Sequence, residues 1–177
     1  MTPATARANR ARGESLEQML DAYHRTLAAQ GRAWVRRVGT PVKVLGKVSR
    51  DARGRSCFRA AFDGHQGADF VGFDHLGRHI CIEAKVHSGA GAWDCGVSPD
   101  GGSGASGALE GSQWLELVFS ESAGATALVI LQAWGGWWAI RPCQILKHVS
   151  LIGRRTVRPT EIETIGRRLV GVQWMDA

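Results

Sequence analysis

Asp69 and, thirteen residues later, Glu83-Ala84-Lys85 are the residues of this chain whose types and spacing best suit chemistry. They stand in the stretch GADFVGFDHLGRHICIEAK, residues 67–85. ADFVGF and RHICIEAKV read as strands, and Asp74-His75-Leu76-Gly77 between them supplies a turn closed by glycine. Side chains alternate along a strand, so Cys81, Glu83 and Lys85 share one face while Ile80, Ile82 and Ala84 share the other. A hairpin closed by this turn sets Asp69 opposite residue 82 or residue 83; with 83, Asp69, Glu83 and Lys85 converge on one face. Two carboxylates at a strand edge repel, which raises one pKa unless a cation lies between them. A divalent metal resolves that repulsion. Mg2+, or Mn2+ in its place, takes a few carboxylate oxygens plus waters and substrate phosphate, which suits Asp69 and Glu83 with the backbone carbonyl of Ala84 as a further oxygen ligand. Lys85 remains a point charge, able to stabilise charge on a phosphate in the transition state or to orient and deprotonate an attacking water.

The rest of the chain must supply the elements that hold this hairpin. Residues 1–12 (MTPATARANRAR) lack apolar periodicity and read as a flexible basic arm ahead of a single domain, residues 13–177. From Glu14 to about Gln30, Leu16, Met19, Leu20, Tyr23 and Leu27 recur at helical steps, with Gly31 as the stop and the acid Glu17 beside the stripe. AWVRRV follows as a strand. VKVLGKVSR and SCFRAAF then bracket the turn Asp51-Ala52-Arg53-Gly54 as two arms of a projecting basic ribbon. Beyond the hairpin, residues from about 88 to 107 are Gly/Ser-rich and read as a long flexible loop. ALEGSQWLELVFSESAG is a helix with Leu109, Trp114, Leu117 and Val118 at helical spacing. TALVILQAW and WWAIRP are strands about Gly135-Gly136, with ALVIL buried at the centre of a sheet. Pro142 opens a short helix, CQILKHV. The last 27 residues carry little pattern. Trp137 and Trp138 point to opposite faces, so one belongs to the core and the other is free to stack on a base.

Composition bounds the function. A length of 177 residues with 44% hydrophobic and 21% charged residues suits one globular domain with its own core. No apolar run approaches the roughly 20 residues of a membrane span, and the N-terminus lacks a secretory apolar region, so a cytoplasmic protein with no membrane contact is expected. The four cysteines, Cys57, Cys81, Cys95 and Cys143, form no CxxC or Cys/His cluster, which points to reduced thiols rather than zinc or disulfides. Charge is uneven: residues 1–55 hold 12 Lys/Arg against 4 Asp/Glu, residues 56–150 hold 5 against 9, and residues 151–177 hold 5 against 3. A basic periphery about an acidic middle fits a protein that grips phosphates while its centre holds cations, although Arg-rich faces are also ordinary solvated surfaces.

Asp69 with Glu83-Ala84-Lys85 resembles the PD-(D/E)xK nuclease core. RGESLEQML, GRAWVRRVGTPVKV, ADFVGFDHLGRHICIEAK, EGSQWLEL and GATALVIL together follow the order and approximate spacing of RecU-type Holliday-junction resolvases, over roughly residues 10–140. The resemblance implies an α/β fold of the restriction-endonuclease kind, a mixed central sheet flanked by helices with a projecting β-ribbon stalk at about 42–62. It also implies a homodimer that cuts four-way junction DNA with Mg2+ and no small-molecule cofactor. On that resemblance Asp69 and Glu83 match the metal-binding acids and Lys85 the catalytic lysine. Glu17 matches a helix acid that completes the metal site, and Gln113 a glutamine on the helix after the hairpin. Arg32, Arg36, Arg37, Lys43, Lys47, Arg50, Arg53 and Arg55 are the candidates for phosphate contacts, and the two-fold symmetry of a junction calls for paired sites on a C2 dimer. The chain departs from the family at Ala68, where relatives carry a hydroxyl, in its compact ribbon turn, and in its seven tryptophans.

Plainer readings stand beside these. Glu17 could be an N-terminal helix acid favoured by the macrodipole, Gln113 a solvent-facing helix residue, and His87, two residues past Lys85 on its face, a half-exposed strand histidine. At the level of function the rivals are another nuclease of the same superfamily acting on duplexes or flaps, and a non-catalytic junction-binding protein.

Overall fold

The computed structural model describes residues 3–39, 42–44, 49–50, 56–57, 60–62, 67–102 and 108–175, with side chains described for 11–39, 50, 67–102 and 108–175. In chain order the elements are α1 (Pro3–Ala29), β1 (Ala33–Arg37), β2 (Val42–Val44), β3 (Ser49–Arg50), β4 (Ser56–Cys57), β5 (Ala60–Phe62), β6 (Phe70–Asp74), β7 (His79–His87), β8 (Trp93–Asp94), α2 (Gly111–Ser122), β9 (Thr126–Ala133), β10 (Gly136–Ile140), α3 (Pro142–Ile152), β11 (Thr156–Val157), α4 (Ile162–Ile165) and β12 (Gly166–Arg168). Six strands form a mixed sheet in the order β1-β6-β7-β9-β10-β12. β7 and β9 run parallel, and the other pairs in this sheet are antiparallel. A parallel pair needs a crossover, and α2 provides it.

Strand alternation sorts the core into two layers. On one face Cys81, Val129, Leu131, Trp138 and Ile140 pack with Trp114 and Leu117 of α2 and Ile145 and Val149 of α3. On the other Phe70, Ile80, Ile82, Leu128 and Ile130 pack with Leu16, Leu20 and Leu27 of α1. Each of those three α1 leucines contributes about 1.5–3 kcal/mol relative to an exposed position. β9 is buried on both faces, in keeping with its unbroken apolar run. Gly31 ends α1 at φ 65°, its N–H donating to the Ala28 carbonyl at 3.0 Å and that of Arg32 to Leu27 at 2.9 Å.

Three expectations change. α1 begins at Pro3 rather than Glu14, so residues 3–12 are helix and not an irregular arm. Alanine and arginine have among the highest helix propensities and need no apolar face, and proline is at home on the first turn. Residues 88–102 are not a loose linker: β8 pairs with β11, and Trp93, Cys95 and Val97, two residues apart, are fully buried. The weakly patterned tail supplies an edge strand, β12, and the buried Trp174. In the ribbon, β2 pairs with β5 and β3 with β4, as the two arms of one hairpin require; its turn and outward projection lie outside the described residues. Cys81, Cys95 and Cys143 are free thiols, and no described helix is long and apolar enough to cross a membrane.

Candidate active site

The hairpin register decides the geometry. Phe70 pairs with Ile82 and Val71 with Cys81, so the next step along the ladder sets Asp69 opposite Glu83. The turn that fixes this register is closed by Asp74, whose Oδ1 accepts the N–H groups of Leu76 and Arg78 at 2.9 Å each, while Gly77 takes φ 77°. Beyond the last paired residues the two acids take over the ladder's hydrogen bonds. The N–H of Ala84 donates to Asp69 Oδ2 at 2.9 Å, and that of Asp69 donates to Glu83 Oε2 at 3.2 Å. Each carboxylate is thereby aimed by the strand opposite.

Glu83 is wholly buried. Burial pushes its carboxyl up to about 8; the Lys85 ammonium pulls it back, and the Asp69 carboxylate adds to the rise. Lys85 Nζ lies 2.6 Å from Glu83 Oε1, an ion pair at hydrogen-bonding distance, and it also donates to Gln113 Oε1 at 3.0 Å. Among the described residues no three His, Cys, Asp or Glu side chains gather as a metal site; the acids here form a pair with a lysine. That pair fits a hard divalent cation in one respect visible here, since two facing carboxylates share a single ammonium and supply the oxygen ligands such an ion prefers.

α2 positions the lysine. Gln113 Oε1 accepts both Lys85 Nζ and, at 3.1 Å, the N–H of Glu110, as half of a capping box at the helix start. Gln113 is therefore a buried residue at the cluster and not solvent-facing. One turn on, Glu116 reaches the hairpin from the same helix: its Oε2 accepts the N–H of Ala68 at 2.6 Å, immediately before Asp69. A Cβ on Gly67 would lie 1.8 Å from that oxygen, so glycine at 67 leaves room for the carboxylate. The sequence reading missed Glu116; its only signal was the three-residue step from Gln113, which puts both on one helix face.

No family model matches the chain, and no curated protein matches it.

The other expected site residues divide. Glu17 is not gathered with Asp69 and Glu83; its carboxylate is ion-paired with Arg37. Arg37 was expected on phosphate, and its guanidinium serves that pair although the side chain is 48% exposed. The cause is local: Arg37 ends β1 next to α1, and Val38 N–H binds the Asp69 carbonyl at 2.7 Å, drawing β1's end towards the hairpin mouth. Arg36 and Arg50 are exposed and Arg32 half-buried. Lys43 lies in β2, with its side chain outside the described residues, as are Lys47, Arg53 and Arg55. His87 Nε2 contacts the Gly91 carbonyl at 3.0 Å and its ring meets Trp134. Trp138 is in the core, and Trp137 is half-buried on the opposite face.

Proposed function

We propose that this chain is a metal-dependent endodeoxyribonuclease that cuts four-way DNA junctions by paired phosphodiester hydrolysis, acting as a homodimer. The observation that carries the reading is the cluster of Asp69, Glu83, Lys85 and Gln113: two carboxylates face each other across a hairpin mouth, and the lysine two residues further on is held between one of them and an amide from the crossover helix. A structural ion pair needs neither the second carboxylate nor a buried acid. The cost of desolvating Glu83 makes sense where a cation and a phosphate are to be handled.

Asp69 and Glu83 would hold Mg2+ or Mn2+, with the Ala84 carbonyl as a further oxygen; bound there, a divalent cation supplies Lewis acidity and a water acidic enough to attack phosphorus at neutral pH. The protein's own part is placement and charge. Backbone N–H groups of Ala84 and Asp69 fix both carboxylates before substrate arrives. Lys85, steadied by Gln113, presents a positive charge where negative charge grows on the phosphate oxygens in the transition state. Arg36, Arg50 and the ribbon's other basic residues would seat the duplex arms on phosphate, giving salt-dependent affinity without base readout. The choice of junction over duplex rests on the basic ribbon and on the two-fold symmetry that paired cuts require.

The experiment is to incubate the purified protein with a labelled four-way junction and a matched linear duplex, with Mg2+, Mn2+ or EDTA, beside Lys85→Ala. Symmetric metal-dependent nicks on the junction alone, lost in the variant, are expected. Equal cutting of the duplex would replace the reading with a broader nuclease. Binding without cutting would replace it with a recognition protein.

A further inference from the structure

A cavity of about 670 Å3 lies at the end of β7 and the β9–β10 turn, with His87, Trp134 and Trp137 among its lining residues and Arg12 of α1 at its side. No Asp or Glu is among the residues lining it. Trp134 and His87 line it from the face of the sheet that carries Lys85, and Val86 and Trp137 from the other, so it spans the end of the sheet; the π faces of Trp134 and His87 suit a planar ligand.

Trp134 is held there against its backbone preference. It takes the first place of the two-residue turn between Ala133 and Gly136. Its φ of 49° makes it the one non-glycine residue at positive φ among those described, and Gly135 follows at 72°. Asn, Asp or Gly fills such a place without strain, and a bulky residue there is an outlier. The indole is fixed in turn: Nε1 donates to the Gly91 carbonyl at 3.0 Å, and the ring stands edge-on to His87 with centroids 5.5 Å apart. His87 contacts the same carbonyl at 3.0 Å. The protein thus tolerates strain to present a fixed indole at the mouth of a carboxylate-free cavity, and strain of this kind concentrates at binding sites.

The cavity's distance from the cluster names its ligand. His87 follows Lys85 on the same strand face, two residues or roughly 6.6 Å along β7. A nucleotide next to the one being cut would reach the cavity once its base left the stack. We infer, on the nuclease reading above, that Trp134 and His87 form a subsite for an unstacked nucleobase beside the scissile phosphate.

The test measures binding in EDTA, so no strand is cut. Junctions carrying a single abasic residue, stepped through the nucleotides around the branch point, are compared with the intact junction for the wild type, Trp134→Gly and Trp134→Phe. Glycine removes the ring and relieves the turn, so this variant should melt no lower than the wild type; phenylalanine keeps a stacking face. The wild type should bind one of the abasic junctions about 5- to 100-fold more weakly than the intact one. Trp134→Gly should bind both at the weaker level, and Trp134→Phe should keep most of the difference. A wild type indifferent to every abasic position, or a Trp134→Gly that discriminates as the wild type does, overturns the subsite. If that protein still cuts junctions, the nuclease reading survives; abasic discrimination without cutting in Mg2+ leaves the subsite and removes the nuclease; failure to bind any DNA removes both.

Discussion

Glu83→Gln should stabilise the metal-free protein at pH 8 and leave it unchanged near pH 4.5, while abolishing cleavage. Burial raises the folded carboxyl from 4.5 to about 8. Below pH 4.5 the group is protonated in both states and contributes no difference. Between 4.5 and about 8 the unfolded chain ionises while the folded one keeps its proton, so folding stability falls as pH rises; above about 8 both are ionised and the loss is complete. At about 1.36 kcal/mol per unit, the penalty at pH 8 is on the order of 3–5 kcal/mol, a large share of the roughly 5–15 kcal/mol that holds a domain together. Glutamine keeps the shape and an acceptor for Lys85 without the charge, so it escapes the penalty. The assay is urea unfolding in EDTA at pH 5, 6.5 and 8, with the variant-minus-wild-type difference as readout, because titrating groups not coupled to Glu83 cancel in that difference. A difference that does not grow with pH, or a variant less stable than the wild type at pH 8, would refute the claim that desolvation outweighs Lys85 at this carboxylate.

Gly67→Ala and Glu116→Ala should each cost about 1–3 kcal/mol by breaking the Ala68–Glu116 hydrogen bond, and because both break the same bond the double variant should cost little more than either, measured as a double-mutant cycle by chemical denaturation. His24, buried with its pKa lowered to about 4, should add stability that is fully present above pH 6.5 and lost as pH falls to about 4. His24→Leu, measured by acid titration of the tryptophan signal, should flatten that limb. Arg37→Ala should leave the salt slope of junction binding close to wild type because its guanidinium serves Glu17, whereas Arg36→Ala, at the exposed fourth position of β1, should reduce the slope by about one.

What could be read from the sequence follows from which interactions are local. The Asp69–Lys85 hairpin was legible because its turn residues and its alternation lie within nineteen positions, leaving only the choice between opposing residues 82 and 83, which the Phe70–Ile82 pairing resolves. The leucine stripe of α1 was legible for the same reason, whereas its first ten residues were not, since alanine and arginine form helix without an apolar signature. Trp93, Cys95 and Val97 carry a strand's two-residue period, but glycine- and serine-rich neighbours hid it. Glu116 and the Glu17–Arg37 pair depend on partners 48 and 20 positions away, one of them a backbone N–H, and no local pattern marks such partners.

Unfavourable features gather at one end of the sheet. The desolvated Glu83 and the left-handed Trp134 sit towards the C-terminal ends of β7 and β9, the parallel pair of the six-stranded sheet, with Lys85 opposite Leu131 and His87 opposite Ala133. At the other end of β7 the buried acid is Asp74, and the contrast is instructive. Burial pushes its pKa up too, but bonds from the Arg78 backbone and side chain and from the Leu76 backbone hold it below the usual carboxylate range. The same fold can therefore satisfy a buried carboxylate fully, within one hairpin. That it leaves the Glu83 carboxyl pushed up to about 8 by burial, and strains a tryptophan one strand away, marks the Lys85 end as the place where stability is given up for binding.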